Sequence, residues 1–437
     1  MSAAKGMAGA PEPEKPLADR NVSISGNKVE ARAERASWTR QSSKLAVDGG
    51  QPVRQTMLAY GRQSIDETDI TAVVEVLKSD WLTTGPKVEE FESALAKTVN
   101  AAHGVAVSNG TASLHAAMHA LAIKPGDEVI VPAITFAATA NSIVYLGGTP
   151  VFADVNPATL LIDVEDVAAR ITPQTKAIVP VDYAGHPCDY DSLREIAGKH
   201  GLALVADASH ALGAKYKGQS VGSLADITTF SFHPVKHITT GEGGGTTTDD
   251  SVFANRMKAF RNHGISSDHR QRLEKGSWFY EMADLGFNYR LTDFQCALGI
   301  SQLARLDSFV ERRQRIACQY DNAFSGMTGI EPLARAGDVS HAYHLYVVRV
   351  AQDVLRAGRE RIFNALRGEG IGVNVHYIPV HLHPFYRERF NTGPGLCPVA
   401  ESAYESILSL PVFPAMSDDD VNDVIEAVNK VVEGLYQ

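Results

Sequence analysis

The sequence predicts an α/β fold organised around a sheet that is covered on both faces. Three observations lead there. Short β-rich runs alternate with helical ones from Glu128 onward. Those runs are nearly continuous in apolar character, the pattern of strands buried on both sides. A chain of 437 residues, 44% hydrophobic and 21% charged, is also long enough for two domains with large cores.

In chain order, residues 1–43 are rich in Ala, Pro, Glu, Lys, Arg and Ser and read as a disordered extension with little to bury. The folded region starts near Leu45. Asp66 to Leu77 places Ile70, Val73, Val74 and Leu77 at helical spacing, and Val88, Phe91 and Leu95 repeat the pattern in the next helix. Glu128 to Pro132 follows as a strand, Phe136 to Tyr145 as a helix and Lys176 to Val181 as a strand. Asp191 to His200 is a helix, and Leu202 to Ala206 and Ile227 to Phe232 are strands. After about Leu306 a long charged helix with Arg312, Arg313 and Arg315 leads into a different rhythm. Residues 44–305 therefore read as a large domain and 306–437 as a smaller α+β domain. No internal repeat is visible.

Charge and cysteine usage narrow the function classes. A formal net charge of −10 argues against a broad nucleic-acid or anionic-membrane face. Cys188, Cys296, Cys318 and Cys397 show no CxxC spacing and are too few for a disulfide scaffold, so a reducing cytoplasm is expected. The longest apolar stretch, Ala133 to Tyr145, carries Thr135, Thr139, Asn141 and Ser142, and is too short and polar to span a bilayer. Residues 1–40 lack the apolar segment of a secretory signal.

Ligands of a covered sheet bind beyond the carboxyl ends of its strands, and two reactive residues fall there. Asp207 ends one predicted strand, and Lys236 follows another in Ser231-Phe-His-Pro-Val-Lys236. A cofactor that needs such a pair is pyridoxal phosphate, whose aldehyde takes a lysine and whose ring nitrogen takes a carboxylate. A structural Lys–Asp pair remains open on these two residues alone. Ser108-Asn-Gly-Thr-Ala-Ser113 opens a strong helix, where free N–H groups and the helix dipole favour an anion. Thr111 and Ala112 would face a phosphate there, although an ordinary capped helix fits as well. Phe136 can lie flat on a planar ring or pack in the core. His210 stands three residues past Asp207. Gly241-Glu-Gly-Gly-Gly245 reads as a mobile loop or as backbone passing tightly by a ligand. His376, His381 and His383 raise a zinc site, but Pro379 and Pro384 break any ligand-bearing helix, so no metal is expected.

Taken in order, Asn109 to Ala112, Pro132 to Phe136, Asp207 to His210, Ser231 to Lys236 and Gly286 to Asp293 resemble the motif series of the nucleotide-sugar aminotransferases. These belong to the aspartate-aminotransferase type of pyridoxal phosphate enzymes. The likeness covers almost the whole chain from Leu45. It implies a three-layer large domain on a mostly parallel mixed sheet and a smaller α+β domain. It implies Lys236 as the Schiff-base lysine, Asp207 as the ring-nitrogen partner, Phe136 stacked on the ring and His210 at its hydroxyl edge. Thr111, Ala112 and Ser231 would bind the phosphate, and Asn288 would reach it from the neighbouring subunit of a homodimer.

Within the family the chain is most similar to the transaminases of pseudaminic acid biosynthesis, through Leu58 to Tyr60, Ser79 to Gly85, Pro180 to Gly185 and Val375 to Pro379. That implies L-glutamate and a UDP-linked 4-keto-6-deoxy-N-acetylhexosamine as substrates. Tyr60, Asp80, Trp81, Leu82, Thr83, His376, Tyr377, Ile378 and Pro379 would surround the sugar nucleotide. Enzymes acting on dTDP- or GDP-sugars share parts of these stretches. A sugar dehydratase of the same fold is disfavoured because Lys236 occupies the slot where such enzymes typically carry His. A non-catalytic regulatory homologue would need an attached DNA-binding module, which residues 1–43 cannot form unaided.

Overall fold

Seven strands form the central sheet of the computed structural model, which describes residues 44–436 except 266, 268, 275 and 356. The extension expected over 1–43 lies outside the described residues. The strands are β1 (His103–Val107), β2 (Glu128–Pro132), β3 (Thr149–Ala153), β4 (Thr175–Ile178), β5 (Ala203–Asp207), β6 (Ile227–Ser231) and β7 (Gly244–Thr248). Their spatial order is β1-β7-β6-β5-β4-β2-β3, with β7 antiparallel to both neighbours and the other pairings parallel. The sheet is therefore mixed and mostly parallel, with β5 and β6 side by side near its middle. That adjacency brings the residues after both strand ends toward one cavity.

β1, β3 and β7 were not foreseen as strands. The glycine-rich run after Lys236 becomes a buried strand, since a Cβ at Gly244 would lie 2.3 Å from the Asn109 carbonyl oxygen. Its glycine lets β7 approach the turn that precedes a helix, so the end of the run is a strand packed on protein backbone, not a mobile loop. The strand expected over Lys176 to Val181 pairs regularly only to Ile178. Pro180 offers no N–H, but its carbonyl accepts from Asp207 N at 2.9 Å and keeps the segment beside β5.

The helices follow the expected spacing. α1 (Glu67–Leu77) starts at a capping box in which Asp66 accepts from Thr68 N and Asp69 N while Asp69 returns to Asp66 N. Its apolar stripe faces outward: Ile70, Val74 and Leu77 are 47%, 37% and 56% exposed. The buried residues are instead Val76 and Asp69, and Asp69 takes hydrogen bonds from Ser301 Oγ at 2.6 Å, Gln302 Nε2 at 2.6 Å and the Arg305 guanidinium. α2 (Pro86–Val99) buries Phe91 and Leu95. α3 (Gly110–Ala120) is capped by Asn109, and α4 (Ala137–Val144) begins after Phe136. α5 (Tyr190–His200) is capped by Asp189.

Two apolar clusters meet along α7 (Leu306–Phe324), which follows α6 (Asp293–Leu303). Leu306 and Val310 pack with the central sheet, while Ile316, Ala317, Tyr320 and Phe324 join the second cluster. That cluster also takes residues from the antiparallel strands β8 (Ile330–Pro332), β9 (Tyr346–Val350) and β10 (Ile407–Leu410), and from α8 (Asp418–Tyr436). Among the described residues no helix is long and apolar enough to cross a membrane.

Candidate active site

A cavity of about 1140 Å³ opens beyond the ends of β5 and β6. Lys236, Asp207, His210, Ser231, Thr111, Ala112 and Phe136 line it, so seven of the eight residues expected to hold a cofactor share one space. Tyr60, His376 and Tyr377 line the same cavity. Asn288 is exposed and does not line it, although its neighbours Phe287 and Tyr289 do.

Asp207 is placed by β5 and held in a saturated polar setting. Its Oδ2 accepts from Thr139 Oγ1 at 2.7 Å, and its Oδ1 accepts from Ser209 Oγ at 2.7 Å and Ser209 N at 3.2 Å. Thr139 is itself bonded to Thr135 at 2.7 Å, tying α4 to the strand end. The carboxylate is thus oriented by hydroxyl groups, with one face on the cavity.

Lys236 sits in a turn after β6, where its N–H donates to the His233 carbonyl at 2.9 Å. Burial pushes its amine down to about 8, against the opposing pull of Asp207 and with help from Arg313. A lysine in that range offers a neutral, nucleophilic amine at far lower cost than an exposed one. His210 is kept well below its ordinary value by burial and then by Lys236. Its Nε2 meets Tyr377 Oη at 3.0 Å, and its buried Nδ1 has no hydrogen-bond partner.

At the third corner, Asn109 Oδ1 accepts from Ala112 N at 2.8 Å and starts α3. The first turn of a helix leaves its N–H groups without intrahelical partners, which here means Gly110 and Thr111 at the cavity wall. Gly110 is needed there, because a Cβ would stand 2.8 Å from Ser231 Cβ. The Phe136 ring is 60% exposed on the cavity side, which rules out simple core packing. An amine, an oriented carboxylate, a flat aromatic face and a helix start at the corners of one cavity fit pyridoxal phosphate.

The substrate-side residues divide. His376 Nδ1 bonds Ser409 Oγ at 2.9 Å, its carbonyl accepts from Tyr183 Oη, and its ring lies 5.4 Å from that of Tyr60. Burial and then Lys236 push His376 down to about 4. Ile378, Pro379 and the segment Asp80, Trp81, Leu82 and Thr83 stand outside the cavity lining. The latter segment is tied to the start of α6, with Leu82 O accepting from Asp293 N at 3.0 Å and Gly85 N donating to Asp293 Oδ2 at 2.8 Å. His381 bonds Glu401 at 2.9 Å, well separated in role from His376. Sequence reasoning missed Thr139, Ser209 and His344. Thr139 lies one helical turn after Phe136 and Ser209 two residues after Asp207, so both had a positional signal. His344, whose Nε2 is 3.3 Å from Lys236 Nζ, lies 108 residues away and had none.

Comparison with known proteins gives one consistent answer. Residues 63–429 match the model of the DegT/DnrJ/EryC1/StrS aminotransferase family. The spore coat polysaccharide biosynthesis protein SpsC of Bacillus subtilis is 44% identical over 383 residues, covering 87% of this chain and 98% of that one. Spr1654 of Streptococcus pneumoniae, in its PMP form, superposes with a TM-score of 0.82 at 35% identity, over 86% of this chain and 100% of that one. Helicobacter pylori PseC, an aminotransferase involved in the biosynthesis of pseudoaminic acid, gives 0.81 at 34% identity, over 86% and 100%. The chain therefore belongs to the DegT/DnrJ/EryC1/StrS family, pyridoxal phosphate-dependent aminotransferases that exchange an amino group between a donor and a keto sugar.

Proposed function

We propose that the enzyme moves the amino group of L-glutamate to carbon 4 of a UDP-linked 4-keto-6-deoxy-N-acetylhexosamine. The observation that carries this reading is that Lys236 and Asp207 share their cavity with Tyr60, His376 and Tyr377. The likeness to PseC supports the sugar, and the cavity of about 1140 Å³ leaves room for a hexose beside a cofactor. We assign the work to the cytoplasm, to a large domain of residues 44–305 and a small one of 306–437, and to a homodimer with shared sites.

When bound, pyridoxal phosphate supplies an electrophilic carbon and an electron-accepting ring. Lys236 would hold the cofactor, and its buried amine is the group that would carry a proton at the substrate carbon. Asp207, fixed by Thr139 and Ser209, holds a proton on the ring nitrogen. Thr111, Ala112 and Ser231 bind the phosphate, Phe136 covers the ring and His210 orients its hydroxyl edge. The partner subunit's Asn288 completes the phosphate site, which accords with its exposure on the free chain. Tyr60, His376 and Tyr377 hold the sugar, and Asp80 to Thr83 with Ile378 and Pro379 flank the nucleotide.

The test is glutamate-dependent amination of a panel of 4-keto sugar nucleotides, read by mass spectrometry. Amine appearing on the UDP-linked N-acetyl sugar in preference to the others supports the reading. A clear preference for a dTDP- or GDP-linked keto sugar rejects it and leaves the aminotransferase intact. A second reading, amination of another keto sugar nucleotide, is favoured by the higher identity to SpsC, 44%, than to PseC, 34%.

A further inference from the structure

His344 is 6% exposed, its Nε2 lies 3.3 Å from Lys236 Nζ, and its ring stands 4.4 Å from that of His210 at a 40° tilt. Its Nδ1 is buried without a hydrogen-bond partner. An imidazole placed only to fill a core would be an expensive choice, since buried ring nitrogens are normally satisfied.

The backbone around it is pinned from several elements. Arg313, fully buried in α7, donates through one Nη1 to the carbonyls of Tyr343 at 3.0 Å, His344 at 3.4 Å and Val412 at 2.6 Å. Ala342 N donates to Gly185 O at 2.9 Å and Leu345 N to Ala184 O at 3.2 Å, while His237 Nε2 meets Ala342 O at 3.0 Å. The segment cannot shift along α7 without breaking these contacts together, so the imidazole is delivered to the lysine by both apolar clusters.

We propose that His344 is a positioning residue for Lys236, its Nε2 accepting one N–H of the free amine and so aiming the nitrogen lone pair at the substrate carbon. The inference rests on Lys236 being the lysine that binds the cofactor. A neutral amine has two N–H bonds and one lone pair, so fixing one N–H restricts where the lone pair points. The acceptor must be neutral for this. Burial, and then the charge of Lys236, hold His344 well below its ordinary value, and the other titratable groups facing it are His210, His237 and Arg313. With Nε2 accepting, the ring proton sits on Nδ1.

Two variants separate positioning from packing. His344→Leu removes the acceptor, whereas His344→Gln keeps one at a similar reach. In the holoenzyme we expect His344→Leu to lower kcat about 10- to 100-fold, the size typical of losing control over a proton-transfer group, with KM within about twofold. His344→Gln should recover most of that loss. In the chain stripped of cofactor, competitive labelling of Lys236 against pH gives a readout apart from turnover. Loss of an acceptor that favours the ammonium should move the midpoint down by about one pH unit in His344→Leu, and His344→Gln should restore it. Equal losses in both variants, or an unmoved labelling midpoint in folded His344→Leu, would overturn the proposal. Borohydride trapping in the wild-type holoenzyme separates this from its premise: label on a residue other than Lys236 overturns both, and label on Lys236 leaves His344 to be judged by the variants alone.

Discussion

The two walls of the cavity are built in opposite ways. On the cofactor side, Asp207 is oriented by Ser209 two residues away and by Thr139 on the neighbouring helix, and α3 is capped by its own Asn109. On the sugar side, His376 depends on Ser409, 33 residues on, and on Tyr183, 193 residues back, while Tyr377 reaches His210 across 167. The first wall is a set of short motifs at strand ends, and the second is an assembly of distant segments. The difference teaches that, on the proposed reading, the groups assigned to the reaction sit in short motifs that contacts at intermediate range then orient, Thr139 reaching Asp207 across 68 residues, whereas the groups assigned to the sugar are held almost wholly by distant segments. Perturbing each wall in turn tests that division.

The largest effect belongs to Lys236. Lys236→Ala should reduce turnover by more than about 10⁴-fold, since the covalent anchor and the proton carrier vanish together. Wild-type protein should carry the cofactor on Lys236 after borohydride reduction, located by peptide mass spectrometry. Label on another lysine would break the assignment of this wall. Because burial brings Lys236 to about 8, its amine in the cofactor-free chain should become reactive as pH rises through that value, not near the 10.5 of an exposed lysine. A labelling midpoint above about 10 would show that the cavity does not desolvate it.

Asp207→Asn comes next. An amide cannot hold a proton on the ring nitrogen through an ion pair, so we expect a loss of about 100-fold or more in both half-reactions with the fold retained. Near wild-type rates would remove Asp207 from the ring. Asn288 tests whether the cofactor wall is completed locally or by a second subunit. Mixing Lys236→Ala with Asn288→Ala should restore activity in heterodimers, because one composite site then carries both intact residues. Verified subunit exchange without recovery would place Asn288 elsewhere.

The same division explains what could be read from the sequence. That Lys236, Asp207 and Thr111 meet at one cavity was legible because they stand at strand ends and a helix start, and the apolar runs announced those ends. β7 was not, since Gly244 and Gly245 give no β signal and their place between β1 and β6 follows from close approach to Asn109. α1 was legible as a helix but not in its packing: periodicity marked Ile70, Val74 and Leu77, and the contact that anchors it is the buried Asp69 with Arg305, Gln302 and Ser301. His344 escaped because nothing near Lys236 in sequence specifies it. Its position depends on Arg313, which holds carbonyls from two segments, Tyr343 and His344 in one and Val412 in the other.

The smallest expected effect is the one that most sharply separates the walls. His376 faces the cavity from the distant-segment side, held by Ser409 and close to Tyr60. Burial brings it down to about 4, so at neutral pH it is an uncharged imidazole and offers a neutral hydrogen bond, not an ion pair. Losing such a bond costs roughly 0.5–1.5 kcal/mol, or about 2- to 13-fold in binding. His376→Ala should therefore raise KM for the sugar nucleotide by about that factor and leave the glutamate half-reaction, followed in single turnover, within about twofold. The sign with pH also follows. Because the folded-state value lies below 6.5, the neutral form persists down to about 4, and the wild-type advantage over His376→Ala should stay flat from pH 9 to about 5 and change only below that. An equal loss in both half-reactions would move His376 to the cofactor wall and erase the distinction between the two. A change in the advantage near pH 6.5 would mean that the imidazole is not desolvated, and that the sugar wall is wetter than its packing indicates.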